Sequence, residues 1–443
     1  YFLFPQIYNF RYNIFSSEWP VANRVIELYL QKKSENGGWE RQINGISNNE
    51  KAVLLLEKRT FKELLVDMEL RNLQNNIVGQ EASRLFARAE INMGVEAFRD
   101  SLYSLLKRNT FLNIKFENML DTLGEISRTD IRSLLGEWEK TTPLPFYSLG
   151  EPTLTKITNK GGEEFFVLKM LISNNSDYDG IIHMDIRKDG WWYQPLEDPR
   201  AKTKIEMPAH TSKEFVSVWE DQIRNVEINT MVSGNLPNII SQDINNVKQE
   251  RNKIVKDSIY ILPESSFDLP GEIIVDNEDS TLFILSAPPI VGLLPKWLDE
   301  VEETPFKYSG ISWWRPPLQW TATTNDRYYG KYIRSAFVIK SGDGSQTATW
   351  KVPVPEVGQY DLYYHVFKDD ELRWNNNLQG EYHFKVKYGS EVEDAYVNLR
   401  KANEGWEQLG SYYFDSDTIR VVLTDECKLR SVTADAVKIV KRY

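Results

Sequence analysis

The spacing of apolar residues changes along the 443-residue chain. Up to about residue 145 it follows the helical repeat. Phe116, Met119, Leu120 and Leu123 recur at i, i+3, i+4 and i+7, which predicts one apolar stripe on an amphipathic helix with Asn113 as its N-cap. Ile131, Leu134, Leu135 and Trp138 repeat the spacing, with Thr129 as the expected cap. The prolines of "TTPLPF" then end the run, because proline lacks the amide donor and restricts the residue before it. From about residue 148 the period falls to two. Phe166, Leu168, Met170 and Ile172 alternate with other residues, as do Ile182, Met184 and Ile186, and the polar "SNNSDYDG" between them predicts a turn. "SKEFVSVWE" and "NVEINTMV" continue the series, and the polar "SQDINNVKQERNK" is expected to be an exposed helix or a linker. From residue 258 onward "TATWKVPVP", "GQYDLYYHVF", "EYHFKVKYG" and "TIRVVLTD" predict aromatic-rich strands bounded by turn formers.

The fold class this pattern implies is multidomain α + β. A helical domain over 1–147 precedes two antiparallel β-sandwich or jelly-roll domains, over 148–257 and 258–443.

Composition narrows the classes of function. Apolar residues make up 41% and charged residues 26%, ordinary for folded protein. The 53 basic and 64 acidic side chains give a formal charge of −11, and no basic cluster interrupts the sequence, so nucleic acid is not an expected partner. The single cysteine, Cys427, excludes an intrachain disulfide and reads as a small core residue. "STLFILSAPPIVGLLP" is too short for the ~20 residues of a membrane-spanning helix, and its prolines would interrupt one. "YFLFPQIYNF" has no basic leader, and the chain does not begin with Met, so it is expected to belong to a longer or processed polypeptide.

Residues 78–147, from "VGQEASRLFARAEINMGVEAFRDSL" to "PLPFY", resemble the end of the catalytic domain of gluzincin zinc aminopeptidases of the membrane alanyl aminopeptidase type. The Gly94-x-x-x-Phe98 turn, the helix after it, and Trp138 before "PLPF" carry the resemblance. "FSSEWPVANRVIELYL" extends it back toward the zinc helix of that family. The resemblance implies that Glu18 stands at the third zinc ligand, leaving the fourth position to water. No H-E-x-x-H occurs in the chain, and by the family's spacing it would precede Tyr1. Zinc is therefore expected only if an upstream motif supplies it, and Glu18 is otherwise a surface or N-capping glutamate. The family's oxyanion-stabilising tyrosine is replaced by Gly79, and its Lys-Gly pair by Glu81 and Ala82. A glycine offers no side-chain donor, so no catalytic residue and no cofactor are expected in this chain. The sandwich over 148–257 is consistent with the β-domain that follows in that family, a combination also found fused to ABC-type permeases.

The closing "GWEQLGSYYFDSDTIRVVLTDECKLRSVTADAVKIVK" is similar to the golvesin C-terminal-like domain, which also follows bacterial xanthan lyases. Trp406, Leu409, Gly410, Asp425, Ala434, Asp435, Ala436 and Val437 carry the pattern. "IIVDNEDSTLF" and the hairpin containing Trp350, Gly358 and Tyr360 extend it back to about residue 270, with "SAPPIVGLLPKWLDEVEETPF" as an insertion. Asp435, between two alanines, is expected to bond either a loop backbone or a ligand. Domains of this shape often bind glycans through exposed aromatics backed by polar groups. The tryptophans of "GWWYQP" and Trp313, Trp314 and Trp320 of "SWWRPPLQW" could stack on sugars, or pack the join between the sandwiches, which is the more common use. His183, His210, His365 and His383 show no ligand spacing, although His383 shares a strand face with Glu381.

These features favour a non-catalytic, extracytoplasmic binding or assembly module, a pseudoenzyme on a peptidase scaffold. It would be periplasmic or at the cell surface, within a larger bacterial envelope protein that an upstream segment tethers to the membrane. Its expected partners are other envelope proteins or the missing N-terminal portion. Two alternatives stay open: the C-terminal part of an active zinc aminopeptidase, and a carbohydrate-binding accessory module.

Overall fold

The computed structural model describes residues 12–31, 38–188, 194–251, 255–263, 267, 271–286, 306–312, 315–368 and 380–442. Two compact units divide the chain. One comprises Tyr1–Asn36 with Asn48–Ser266, the other Gly37–Ser47 with Phe267–Tyr443.

In the first unit the helical repeat becomes helices around one core. Phe116–Ser127 buries Phe116, Met119, Leu120 and Leu123, the predicted stripe. Its cap differs from expectation: Asn113 lies in the short strand Asn113–Lys115, paired in parallel with Asn13–Phe15. Trp138 is buried at the end of a 3-10 helix, Arg132–Glu139, edge-on to Trp19 and Phe61. There Asp130, not Thr129, caps the turn by accepting from the Ser133 amide at 3.1 Å. The helix Gln74–Met93 runs through the middle of this core and stops at Gly94, whose φ of 85° favours a residue without Cβ.

The period-two segments form a sandwich of two sheets. One contains Gly180–Lys188 at its centre and the other Glu164–Asn174. Leu168, Met170 and Ile172 on one sheet meet Ile182, Met184 and Ile186 on the other in a shared core. The segment expected as helix or linker instead holds two strands, Ile239–Asp243 and Val247–Arg251. Each is an edge strand hydrogen-bonded to one neighbour, so polar side chains meet solvent without loss of pairing. Ser258–Pro263, assigned by pattern to the last domain, pairs with Thr211–Trp219 and so belongs to this sandwich.

The second unit is a sandwich with a smaller attached sheet. A four-stranded sheet containing Gly358–Val366 packs over a five-stranded sheet containing Glu381–Tyr388, Thr418–Thr424 and Thr347–Pro353. Trp350, Tyr364 and Phe384 fill the space between them with tilted and edge-on contacts. A three-stranded sheet, Thr321–Thr324, Ser335–Lys340 and Ser431–Ala434, completes the unit. The helix Gly38–Asn44 belongs here despite its early place in the chain. A Cβ on Gly310 would come 1.9 Å from the Ile43 carbonyl oxygen, and Thr324 Oγ1 donates to the Gly45 carbonyl at 2.5 Å.

Candidate functional site

The buried polar centre of the second unit is Asp435, which is fully buried. It lies in the turn between Ser431–Ala434 and Val437–Lys441, and its two alanine neighbours are buried as well. Its carboxylate accepts from the Tyr329 amide at 3.1 and 3.2 Å and bonds His365 Nδ1 at 2.8 Å. Trp350 Nε1 donates to its carbonyl at 3.2 Å. Burial raises the Asp435 pKa, and His365 opposes that shift. Tyr329 and Trp406 flank the His365 ring, with centroids at 5.7 and 5.2 Å. Of the two uses expected for Asp435, the structure realises the loop-backbone bond.

A different group opens to solvent on the outer face of the five-stranded sheet. Strands Glu381–Tyr388 and Glu391–Asn398 pair so that His383 lies opposite Tyr396. Alternation turns Tyr382, Phe384 and Val386 into the core and leaves Glu381, His383, Lys385 and Lys387 on the outside. The His383 and Tyr396 rings stack at 4.8 Å with only 7° between their planes. Asp394 holds His383 Nε2 at 2.7 Å, and Glu426 lies 3.4 Å from Nδ1. The imidazole is thus fixed between two carboxylates, while Tyr396 stays 55% exposed. These rings border a cleft of about 300 Å³ whose wall also includes Glu381, Asn398, Glu426, Cys427 and Lys428. An aromatic face beside carboxylates, an amide and an ammonium can stack on an apolar ring face and bond its hydroxyls. Cys427 Sγ accepts from the Leu429 amide at 3.4 Å, and the partly buried residue packs against the core on one side while lining the cleft on the other.

The residues singled out by sequence fall elsewhere. Glu18 is exposed, and its amide donates to Ser16 Oγ at 3.2 Å in the turn before the helix Ala22–Leu30. Among the described residues no group of three His, Cys, Asp or Glu side chains is placed to hold a metal ion. Zinc at Glu18 would need both histidine ligands from outside this chain. Gly79 lies within the helix Gln74–Met93, and a Cβ there would meet nothing within 4 Å. Glu81 is fully buried beside Arg84 at 2.9 Å. Trp320 is partly buried and packs against the core of its own sandwich. Trp313 and Trp314 lie outside the described residues, as do Trp191 and Trp192 of "GWWYQP".

Tyr396 and its neighbours escaped sequence reasoning because they come from three separated segments. Glu381 and His383 share a face by period two, but only strand pairing brings Tyr396 and Asp394 beside them.

Comparison with known proteins supports one of the two resemblances. Residues 316–441 match the family model of the Golvesin C-terminal domain. That match contains Asp435, His365 and the whole cleft, and no match supports the aminopeptidase resemblance of the N-terminal helices. No curated protein matches the chain. Among solved structures, a Paenibacillus xanthan lyase is similar at 16% identity over 68% of this chain and 26% of the lyase, with a TM-score of 0.28. A Bacteroides uniformis beta-glucuronidase is similar at 12% identity over 68% of this chain and 30% of that one, TM-score 0.19. TmCBM61, solved with beta-1,4-galactotriose, is similar at 13% identity over 39% of this chain and 86% of its own, TM-score 0.15. At these scores the overlays carry no functional argument. The chain spans under a third of the lyase and of the glucuronidase.

Proposed function

We propose that this chain is a non-catalytic accessory module whose C-terminal sandwich binds a glycan in the Tyr396 cleft. The observation that carries this reading is the exposed Tyr396 ring, fixed by His383 at the mouth of a cleft rich in hydrogen-bonding groups. The match to the Golvesin C-terminal domain supports a module rather than a self-standing enzyme. Both ring nitrogens of His383 face carboxylates, which suits positioning better than nucleophile activation. We place the module outside the cytoplasm, in a larger envelope protein, where polysaccharides are the abundant ligands. No helix among the described residues is long and apolar enough to cross a membrane. Trp313 and Trp314 are proposed as additional sugar contacts.

A glycan array followed by isothermal titration of the full chain tests the reading. Tyr396→Ala is expected to weaken binding by roughly tenfold, about 1.4 kcal/mol. Trp313→Ala and Trp314→Ala are expected to weaken it further. Absence of binding to every glycan on the array would leave assembly with other envelope proteins as the better account.

A further inference from the structure

The outer face that holds Tyr396 also carries a row of cations. Strand pairing places Lys351 opposite Arg420, and Arg420 opposite Lys387, so three positive side chains stand in register across three adjacent strands. At about 4.8 Å between strands, the row spans roughly 10 Å. Lys385 lies one outward position from Lys387 along its strand, on the same face. Lys387 and Arg420 are exposed and Lys351 and Lys385 half-buried.

Among the described residues no carboxylate lies within ion-pair distance of these four groups, and the carboxylates nearest in register are engaged elsewhere. Asp394, opposite Lys385, holds His383, while Glu393 accepts from the Tyr388 hydroxyl. Like charges directly opposite on neighbouring strands cost stability. In a chain of net charge −11, acidic side chains are plentiful, yet none among the described residues neutralises this row.

We infer that the outer sheet face binds a linear, carboxylate-bearing polysaccharide. Its acid groups lie along Lys351, Arg420 and Lys387, and a sugar ring sits against Tyr396. Charge complementarity selects an anionic ligand. The aromatic ring and hydroxyl-binding cleft on the same face favour a polysaccharide over nucleic acid, which the overall negative charge would repel. This inference rests on the glycan-binding reading and adds the class of glycan.

The test compares polygalacturonate with its fully methyl-esterified form, and alginate as a second polyuronate, by affinity electrophoresis and titration of the full chain. Methyl esterification removes the charge and keeps the backbone. The acid form is expected to bind at least roughly tenfold more tightly, with affinity falling between roughly 50 and 200 mM salt. The triple variant Lys351→Gln, Lys387→Gln, Arg420→Gln should lose that preference while its unfolding midpoint stays level or rises, since mutual repulsion is relieved. Each single variant, with its own unfolding curve, provides the same comparison if the triple variant misfolds. Tyr396→Ala should weaken acid and ester forms together. Equal binding of acid and ester would overturn the anionic inference and leave glycan binding standing. Retention of the preference by the variants would also overturn it, as would equally tight binding of a DNA duplex. Binding of neither polyuronate, with neutral glycans bound, would overturn it as well. No glycan bound at all would remove both readings.

Discussion

Asp435 shows how one side chain can hold a loop, a strand and a ring together. Its carboxylate serves the Tyr329 amide and His365 Nδ1 in a site without solvent. Removing it takes a buried acceptor from two half-buried donors, so Asp435→Ala should cost about 2 kcal/mol in urea unfolding. A loss under about 0.5 kcal/mol would show that water or rearrangement replaces the carboxylate. The alternation of Ala434, Asp435 and Ala436 set Asp435 apart in the sequence as a group that bonds a loop backbone or a ligand. The partner, His365, comes from a strand 70 positions earlier, and only packing reveals it. Gly94 is a simpler case. Its φ of 85° and ψ of 144° suit glycine, and an added Cβ would meet no neighbour. Gly94→Ala should therefore cost about 2 kcal/mol from backbone strain alone, which thermal unfolding would measure.

At the scale of elements, helix ends and faces decide what substitutions do. The short helix Phe61–Val66 begins with a capping box in which Thr60 accepts from the Glu63 amide and Glu63 accepts from the Thr60 amide. Thr60→Ala should lower stability by about 1 kcal/mol, with Thr60→Ser close to wild type. Within the helix Gln74–Met93, burial raises the pKa of Glu81, and the Arg84 guanidinium only partly opposes this. Its folded-state pKa thus lies above the unfolded value. The contribution of Glu81 to stability is complete below the unfolded pKa and is lost as pH rises through the folded pKa. The stability of Glu81→Gln relative to wild type should therefore increase as pH is raised from the ordinary carboxylate range toward neutral and above. A relative stability that falls over this range would reverse the assignment. The amphipathic stripe of Phe116–Ser127 was readable from sequence, because a 3.6 period survives without tertiary context. Its cap was not: a single Asn before an apolar run fits a cap or a strand, and pairing with Asn13 selected the strand.

At the scale of the molecule, the second unit is discontinuous in sequence. It takes Gly37–Ser47 from within the N-terminal helical stretch. Gly310 fits against the Ile43 carbonyl only because it has no side chain. Gly310→Ala should destabilise the C-terminal sandwich by about 2 kcal/mol through overpacking. A fragment beginning at residue 267 lacks the Gly45 carbonyl that accepts from Thr324. It should melt below the same sandwich in the full chain, as scanning calorimetry would show. Equal melting temperatures would mean that the N-terminal segment adds nothing to the fold of this unit.

The sequence alone determined where helices give way to strands, because side-chain periodicity is a local property fixed by backbone geometry. It also identified the C-terminal module, whose Ala-Asp-Ala-Val motif lies within a continuous segment. Tertiary structure decided everything that depends on strand register. It paired Ser258–Pro263 with the middle sandwich, recruited residues 37–47 into the second unit, and stacked His383 on Tyr396. It also turned three scattered cations, Lys351, Lys387 and Arg420, into one row on an acidic chain that shows no basic cluster in its sequence. Charge composition sums over the chain, whereas recognition depends on which side chains the hydrogen-bonded ladder sets side by side.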